Sequence, residues 1–484
     1  MRARGALPLG GSESILPWIL VAGVLGAGIG LAAALNQTTV AVVLVLLPGL
    51  FALLLRLDWI PVLLMATVFG EALQSGSVTA SRAVAPLALF AVVLGLPGRT
   101  RVRLPRIGLL LAAIAYASWA LASAAWTVNS DSSLTLGGTG YALAQLAISL
   151  ALMGAMVMFV RFETDLRRLL WVTWLLASVT GLVSIAQYAS GYGRAVGVSG
   201  DANFFAALQV VALPFSALLA IEVRNTRSRT IILIGIAIAV GSIITSLSRG
   251  GILALVAVFL LLSLQPARGF FHTRARKRAF LLFVSIGAGI LLVASYSALS
   301  ARTSSLFSGG DQGSGRANLW RAAVTGWHQH EIRGLGLGAF IGQSNKLLLE
   351  TPRVNFSDYQ LRSTGQYVHN AYLESLVELG VIGAALFVGL LVTMALSLRA
   401  SARRAQAAGL LFSAAFSRAL ALALAGFAFT SIFLSTETDR TLWVLIGLAI
   451  ALPRVISEEQ LRREKPADAP VLPALAPQEA VPAT

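Results

Sequence analysis

The chain has no cysteine and only four histidines, and charged residues fill just 12% of its 484 positions. Without thiols there is no disulfide, no thiolate metal site and no cysteine nucleophile. Neither a G-x-S-x-G elbow nor a phosphate-binding loop occurs, which removes serine-hydrolase and P-loop nucleotide chemistry. His328 and His330 are separated by one residue rather than three, so they do not form a helical zinc pair. Glu437 and Asp439, two apart in a short loop, are a carboxylate pair of the kind that can hold a divalent ion. The expectation is nevertheless no metal and no cofactor.

What is present is apolar: 57% of residues are hydrophobic, with a mean hydropathy of +0.79. Runs of about 17–25 apolar residues, each able to cross a hydrocarbon core as a helix, recur from end to end. About fourteen are read, at 15–35, 38–55, 59–74, 83–97, 107–126, 140–160, 168–189, 203–222, 229–246, 250–266, 279–298, 372–398, 412–434 and 440–454. The pattern predicts an all-α, polytopic membrane protein with about 12–14 transmembrane helices. The third and fourth runs are short enough to be a re-entrant pair or one broken unit. The first, Ile15 to Leu35, exceeds the apolar core of a usual signal peptide and is read as an uncleaved span.

A net charge of +16 raises the question of a nucleic-acid partner, but the basic residues are scattered in short clusters rather than gathered in one domain. They read as topology signals, because basic loops are retained on the cytoplasmic side. With a cytoplasmic amino terminus, GRTRVRLPR, RFETDLRR, VRNTRSR, PARGFFHTRARKR and RASARR all fall inside. Spans 1–11 then occupy residues 1–298, a long external loop with short amphipathic helices 299–371, and the last three spans 372–455. Residues 456–484, rich in Pro and Ala, read as a disordered cytoplasmic tail.

Candidate chemistry concentrates on the external side. In SGRANLWRAAVTGWHQHE, Arg316, Trp320, Ala323 and Trp327 share a helix face, as in a helix lying on the membrane surface with its tryptophans at headgroup level. Next comes IRGLGLGAF, whose spaced glycines permit tight turns and close approach to a ligand. His369 precedes Asn370, a good helix cap, and Glu374 and Glu378 follow four apart on one helix face. Taken alone, His369 fits either a helix-start residue or a general base. Arg249 lies in the near-loopless hairpin SLSRGG, either as an interfacial arginine or as a ligand for lipid phosphate. Arg194 lies in a second external hairpin, where Asp201 reads as an N-cap.

Taken in order, SRGG at 248–251, GRANLWRAA at 315–323, RGLGLGAF at 333–340 and VHNAYLESLVELGVIGAALF at 368–387 resemble the O-antigen ligase and polymerase family of polytopic membrane proteins. The segment GVSGDANFFAALQVVALP also looks like the one that family has before a mid-chain span. The likeness runs from about Val196 to Phe387, with Glu331 standing where the family often has proline. It implies transfer of a glycan from a polyprenyl (undecaprenyl) diphosphate carrier to a lipid or glycan acceptor, inverting and without metal. By the resemblance His369, Arg316 and Arg249 are catalytic, while Arg194, Arg321, Trp320, Asn370, Glu374 and Glu378 bind substrate. Membrane lipids are the other expected partners, and nucleic acid is not. The implied location is a bacterial inner membrane, with the site facing the periplasm or exterior; oligomeric state is left open. A polymerase of the same family, a transporter or lipid-linked sugar flippase, and a membrane scaffold are the competing readings. Transport would place charges near the midplane of broken helices, and here Arg418 and Glu71 are the main charges within spans.

Overall fold

The computed structural model describes residues 59–69, the pairs 74–75 and 78–79, 107–128, 138–294 save Tyr192, Val198 and His272, 315–354 save Arg353, and 365–464, together with Tyr296 and Ser300. The expected spans at 15–35, 38–55 and 83–97 lie outside these residues. In chain order the described helices are α1 (Ile60–Phe69), α2 (Ile107–Ala122), α3 (Thr139–Phe159), α4 (Glu163–Ala189), α5 (Ala202–Glu222), α6 (Thr226–Thr245) and α7 (Arg249–Leu264). They continue as α8 (Arg274–Ala294), α9 (Arg316–Gln329), α10 (Ala339–Glu350), α11 (Ala371–Ala407), α12 (Leu411–Thr430) and α13 (Arg440–Glu464). Gln74–Ser75 and Val78–Thr79 form a two-residue antiparallel ladder.

Among the described residues, eight helices are long and apolar enough to cross a membrane, and α1 and α7 are shorter apolar helices. This is a polytopic helical membrane protein. Its centre is α5, apolar on all sides and 94% buried across its most apolar window, as expected of a helix enclosed by other helices. α4, α6, α7 and α12 pack around it, while α13 pairs with α3 and α11 with α2 and α12. Outer helices keep apolar stripes exposed: Leu175, Val179 and Leu182 on α4, and Val388, Val392 and Leu396 on α11. Exposed stripes at this helical spacing are surfaces for lipid rather than water.

The two ends of the bundle differ. At one, Arg167 Nη1 meets Glu222 Oε2 at 3.1 Å, Ser413 Oγ donates to Glu163 Oε1 at 2.6 Å, Arg454 Nη2 donates to the Val160 carbonyl at 2.7 Å and Arg463 Nη1 to that of Gly409 at 3.2 Å. These contacts gather the basic segments around 161–168, 222–229 and 399–409. At the other end the Ala195 amide donates to the Thr245 carbonyl and the Ala371 amide to that of Ser431. The hairpins carrying Arg194 and Arg249 therefore share an end with the start of α11, as the alternation of basic and non-basic loops requires.

The segment expected to lie on the membrane surface is helical, as α9, but it is packed into the protein. α9 buries Leu319, Ala322, Ala323 and Gly326 in a small core shared with Phe340, Leu347 and Leu348 of α10 and Val377 of α11. α10 is an element the long-loop reading did not place. α13 continues to Glu464, past the span end expected near residue 454.

Candidate active site

The polar end is organised by a break in α11. Gly380, at φ 68° and ψ −172°, interrupts the helix in a backbone region open essentially to glycine alone. A break leaves carbonyls without helical partners, and the glycine-rich segment fills that gap. The Leu335 amide donates to the Val377 carbonyl, Gly336 to Glu378, and Val381 in turn to Glu331. Trp119 Nε1 reaches the Leu379 carbonyl at 2.9 Å. Gly334, Gly336 and Gly338 all have positive φ, so the tight turns expected of IRGLGLGAF are present, and their role is to dock a loop into a broken helix. Glu378 completes the junction by accepting from the Gly338 amide at 2.7 Å and the Phe340 amide at 3.1 Å, at the start of α10.

At its other end the short first part of α11 is capped by Asn370, whose Oδ1 accepts from Tyr372 N at 3.0 Å and Leu373 N at 3.1 Å. His369 stands just before it in the left-handed region, φ 56°, which is costly for a residue with a Cβ and is found preferentially at functional positions. Its amide donates to Ser435 Oγ at 3.1 Å. Ser435 also lines one cavity with Glu374. The 431–439 loop thereby sets the backbone of His369 at the edge of that cavity.

Between these elements lies a cavity of about 170 Å³, whose lining includes Glu374, Glu378, Glu437, Asp439, Arg440 and Tyr141. Glu374 and Glu437 are buried, and each keeps one carboxylate oxygen, Oε2, without a protein hydrogen bond. Arg440 Nη2 donates to Gln145 Oε1 at 2.6 Å, and Gln145 Nε2 to the Tyr141 hydroxyl at 2.7 Å. Burial raises the Glu437 carboxyl to about 7; the Asp439 charge adds to this, and backbone hydrogen bonds within the loop oppose it. Burial also raises Asp439, with the Thr441 hydrogen bonds and the Arg440 charge acting against it. Among the described residues no group of three or more His, Asp or Glu side chains is placed to hold a metal ion.

Glu437 makes stability depend on pH. Folded, it holds its proton up to about 7; unfolded, it releases it near the ordinary glutamate value of about 4.3. The folded state thus binds more protons in that window, and stability falls as pH rises through it. Glu437→Gln is expected to match the parent near pH 4 and to melt higher near pH 8. Thermal melts in detergent at both pH values check this, and an equal change at both would assign the effect to packing instead.

A cationic cluster lies beside the cavity. Ser248 caps α7, its Oγ accepting from the Gly251 amide at 3.1 Å, and this fixes Arg249 as the first residue of the helix. Asn203 Oδ1 accepts from both Ser248 Oγ at 2.9 Å and Arg194 Nη2 at 3.0 Å, tying the two hairpins together. Burial lowers the Arg194 guanidinium below its ordinary value; Asp201 opposes this, and the charge of Arg249 adds to it. Arg194 and Arg249 thus stand close enough for the charge of one to act on the other. Asp201 is an N-cap as expected, accepting from Asn203 N and Phe204 N at 2.8 Å each. Phe204 then lines the carboxylate cavity. A Cβ on Gly250 would lie 2.9 Å from Phe433 of the 431–439 loop, so one loop touches both the Arg249 hairpin and the start of α11.

The sequence candidates therefore fall into separate groups. Arg194 and Arg249 form the cationic cluster, Glu374 and Glu378 line the cavity, and His369 is held at its edge through Ser435. Asn370 is engaged in capping. Arg316 is half-buried at the first position of α9. Trp320 and Arg321 line a different, open hollow of about 510 Å³ with Val324, Thr351 and Leu373. Sequence reasoning did not place Glu437, Asp439, Arg440, Tyr141 or Gln145 together in the site. The available signal was STETDR, three charges in a short loop between apolar runs.

Residues 234–388 match the family model described as O-antigen ligase. No curated protein matches the chain. The matched stretch is about a third of the sequence and contains Arg249, Arg316, the glycine-rich turn, His369 and both glutamates of α11. The resemblance read from the sequence holds there.

Proposed function

We propose, from the O-antigen ligase match and the geometry of this end of the bundle, that the protein transfers a glycan from a polyprenyl diphosphate carrier to an acceptor hydroxyl, in the manner of an O-antigen ligase. The observation that carries the proposal is the separation of charge: two arginines on adjoining hairpins stand beside a cavity lined by carboxylates, and His369 lies at the cavity edge. A diphosphate is attracted to the arginines. A sugar, which offers many hydroxyl donors, suits buried carboxylate oxygens that lack protein partners.

In this reading Arg249, with Arg194 and Arg316 in support, compensates the charge that develops on the departing diphosphate, a role a metal would otherwise supply. His369 accepts the proton of the acceptor hydroxyl. The acceptor oxygen bonds to the anomeric carbon while the carbon–oxygen bond to the diphosphate breaks, and the electron pair leaves with the carrier diphosphate. One displacement inverts the anomeric centre. In this reading the end that carries the basic loops is cytoplasmic, as the retention of basic loops favours, and the reaction faces the periplasm or exterior of a bacterial inner membrane.

The test is transfer by purified protein in detergent, supplied with a lipid-linked glycan and its acceptor and with no membrane gradient. Product is expected. A requirement for sealed vesicles, with the carrier-linked glycan merely changing sides, would replace this reading with transport. In a deletion strain, accumulation of long carrier-linked chains is the expected result, and single repeats on the acceptor would mark a polymerase.

A further inference from the structure

Arg418, a charge inside an apolar span, has no role in the reaction proposed above. It lies on α12 at the basic end of the bundle, half-buried, with Nη2 donating to Gln406 Oε1 at 2.5 Å. Together with Arg399 and Arg403 of α11 it lines a slot of about 590 Å³ between α7, α11 and α12. The walls are apolar, with Leu261, Leu398, Ala421, Leu422 and Ala425 among them, and among the described residues no carboxylate lines the slot. Lys277 Nζ donates to the carbonyl of Gln265, another lining residue, at 2.8 Å, and so adds a fourth cation near it. The slot is thus amphipathic in one direction: cations gather where the basic loops gather, and aliphatic side chains continue between the helices.

We propose that this slot binds an anionic phospholipid, its headgroup phosphate held by Arg399, Arg403 and Arg418 and an acyl chain lying along Leu261, Leu398 and Leu422. Charge complementarity selects the occupant. A lipid with a net negative headgroup gains from every cation around the slot, whereas a zwitterionic headgroup brings its own cation into a field already positive. A soluble anion would leave the apolar wall without a partner. Bound there, the lipid bridges α7, α11 and α12 and fastens the cytoplasmic half of the helix whose other end carries His369. The site is separate from the one that transfers glycan, and its test does not depend on that activity.

The experiment is native mass spectrometry of the full chain released from detergent, titrated with phosphatidylglycerol or with phosphatidylcholine. Phosphatidylglycerol is expected to be retained at lower concentration. The double variant Arg399→Gln/Arg403→Gln, altered at two exposed positions, is expected to weaken its retention about 30-fold, since each juxtamembrane cation contributes about fivefold, and to leave phosphatidylcholine unchanged. Ala421→Phe, which fills the apolar wall while keeping all three arginines, is expected to displace the lipid as well. Equal retention of the two lipids, full retention by the double variant, or displacement of phosphatidylglycerol by millimolar inorganic phosphate would each overturn the proposal. So would retention of polyprenyl phosphate in preference to phosphatidylglycerol.

Discussion

His369→Ala is expected to lower the rate of glycan transfer by about 10²–10⁴-fold, the range usual for loss of a positioned base, with folded protein recovered in normal amounts. The ring is the only part removed, since the backbone tie from His369 N to Ser435 Oγ survives the substitution. A left-handed backbone at φ 56° costs alanine more than it costs asparagine, so His369→Asn separates the two contributions. If the ring acts as base, both variants are inactive while the asparagine variant melts closer to the parent. Near-parental turnover by His369→Asn would remove the ring from the mechanism and leave residue 369 a loop-to-helix hinge. The rate is read from single-turnover transfer with donor and acceptor in excess over their dissociation constants, so that binding does not mask the chemical step.

Gly380→Ala is expected to destabilise the fold by about 3 kcal/mol or more, enough to remove a large part of the stability of an ordinary domain. Two costs act together. The backbone at φ 68° and ψ −172° is in a region nearly closed to residues with a Cβ. The added carbon would also lie 2.1 Å from the Ile332 carbonyl oxygen, in the loop that docks into the break. If the helix instead straightened, the Glu331–Gly336 segment would lose its backbone partners on α11, and Glu378 its bonds to Gly338 and Phe340. The expected readout is a large drop in the detergent melting temperature together with loss of transfer. A control, Gly389→Ala, lies in the same helix where a Cβ meets nothing within 4 Å, and it should be neutral or slightly stabilising. Equal stability of the two variants would mean that the break is not required.

The membrane class was legible without any structure because it rests on composition: apolar runs longer than a globular core needs have no stable place in water. The polar end was legible in part. Asp201 and Asn370 announced themselves as caps, the glycines at 334, 336 and 338 as turns, and Glu374 and Glu378 as one helix face, since each of these follows from local backbone geometry. Trp320 and Arg321, grouped with the site by the resemblance, line the separate hollow beside Leu373. Periodicity gives the face of a helix and leaves open what that face meets.

The sequence by itself determined a helical membrane protein, a division of its loops into basic and non-basic sets, and the residues at which chain direction changes. These are local or additive properties, written in runs, caps and charges. Only the tertiary structure decided that Glu437, Asp439 and Arg440, more than sixty residues beyond His369, close one cavity with Glu374, Glu378 and Tyr141. It also decided that the glycine-rich turn completes a broken helix. Long-range pairing of this kind is set by which helices pack side by side, and packing among uniformly apolar helices leaves little trace in the spacing of any one of them.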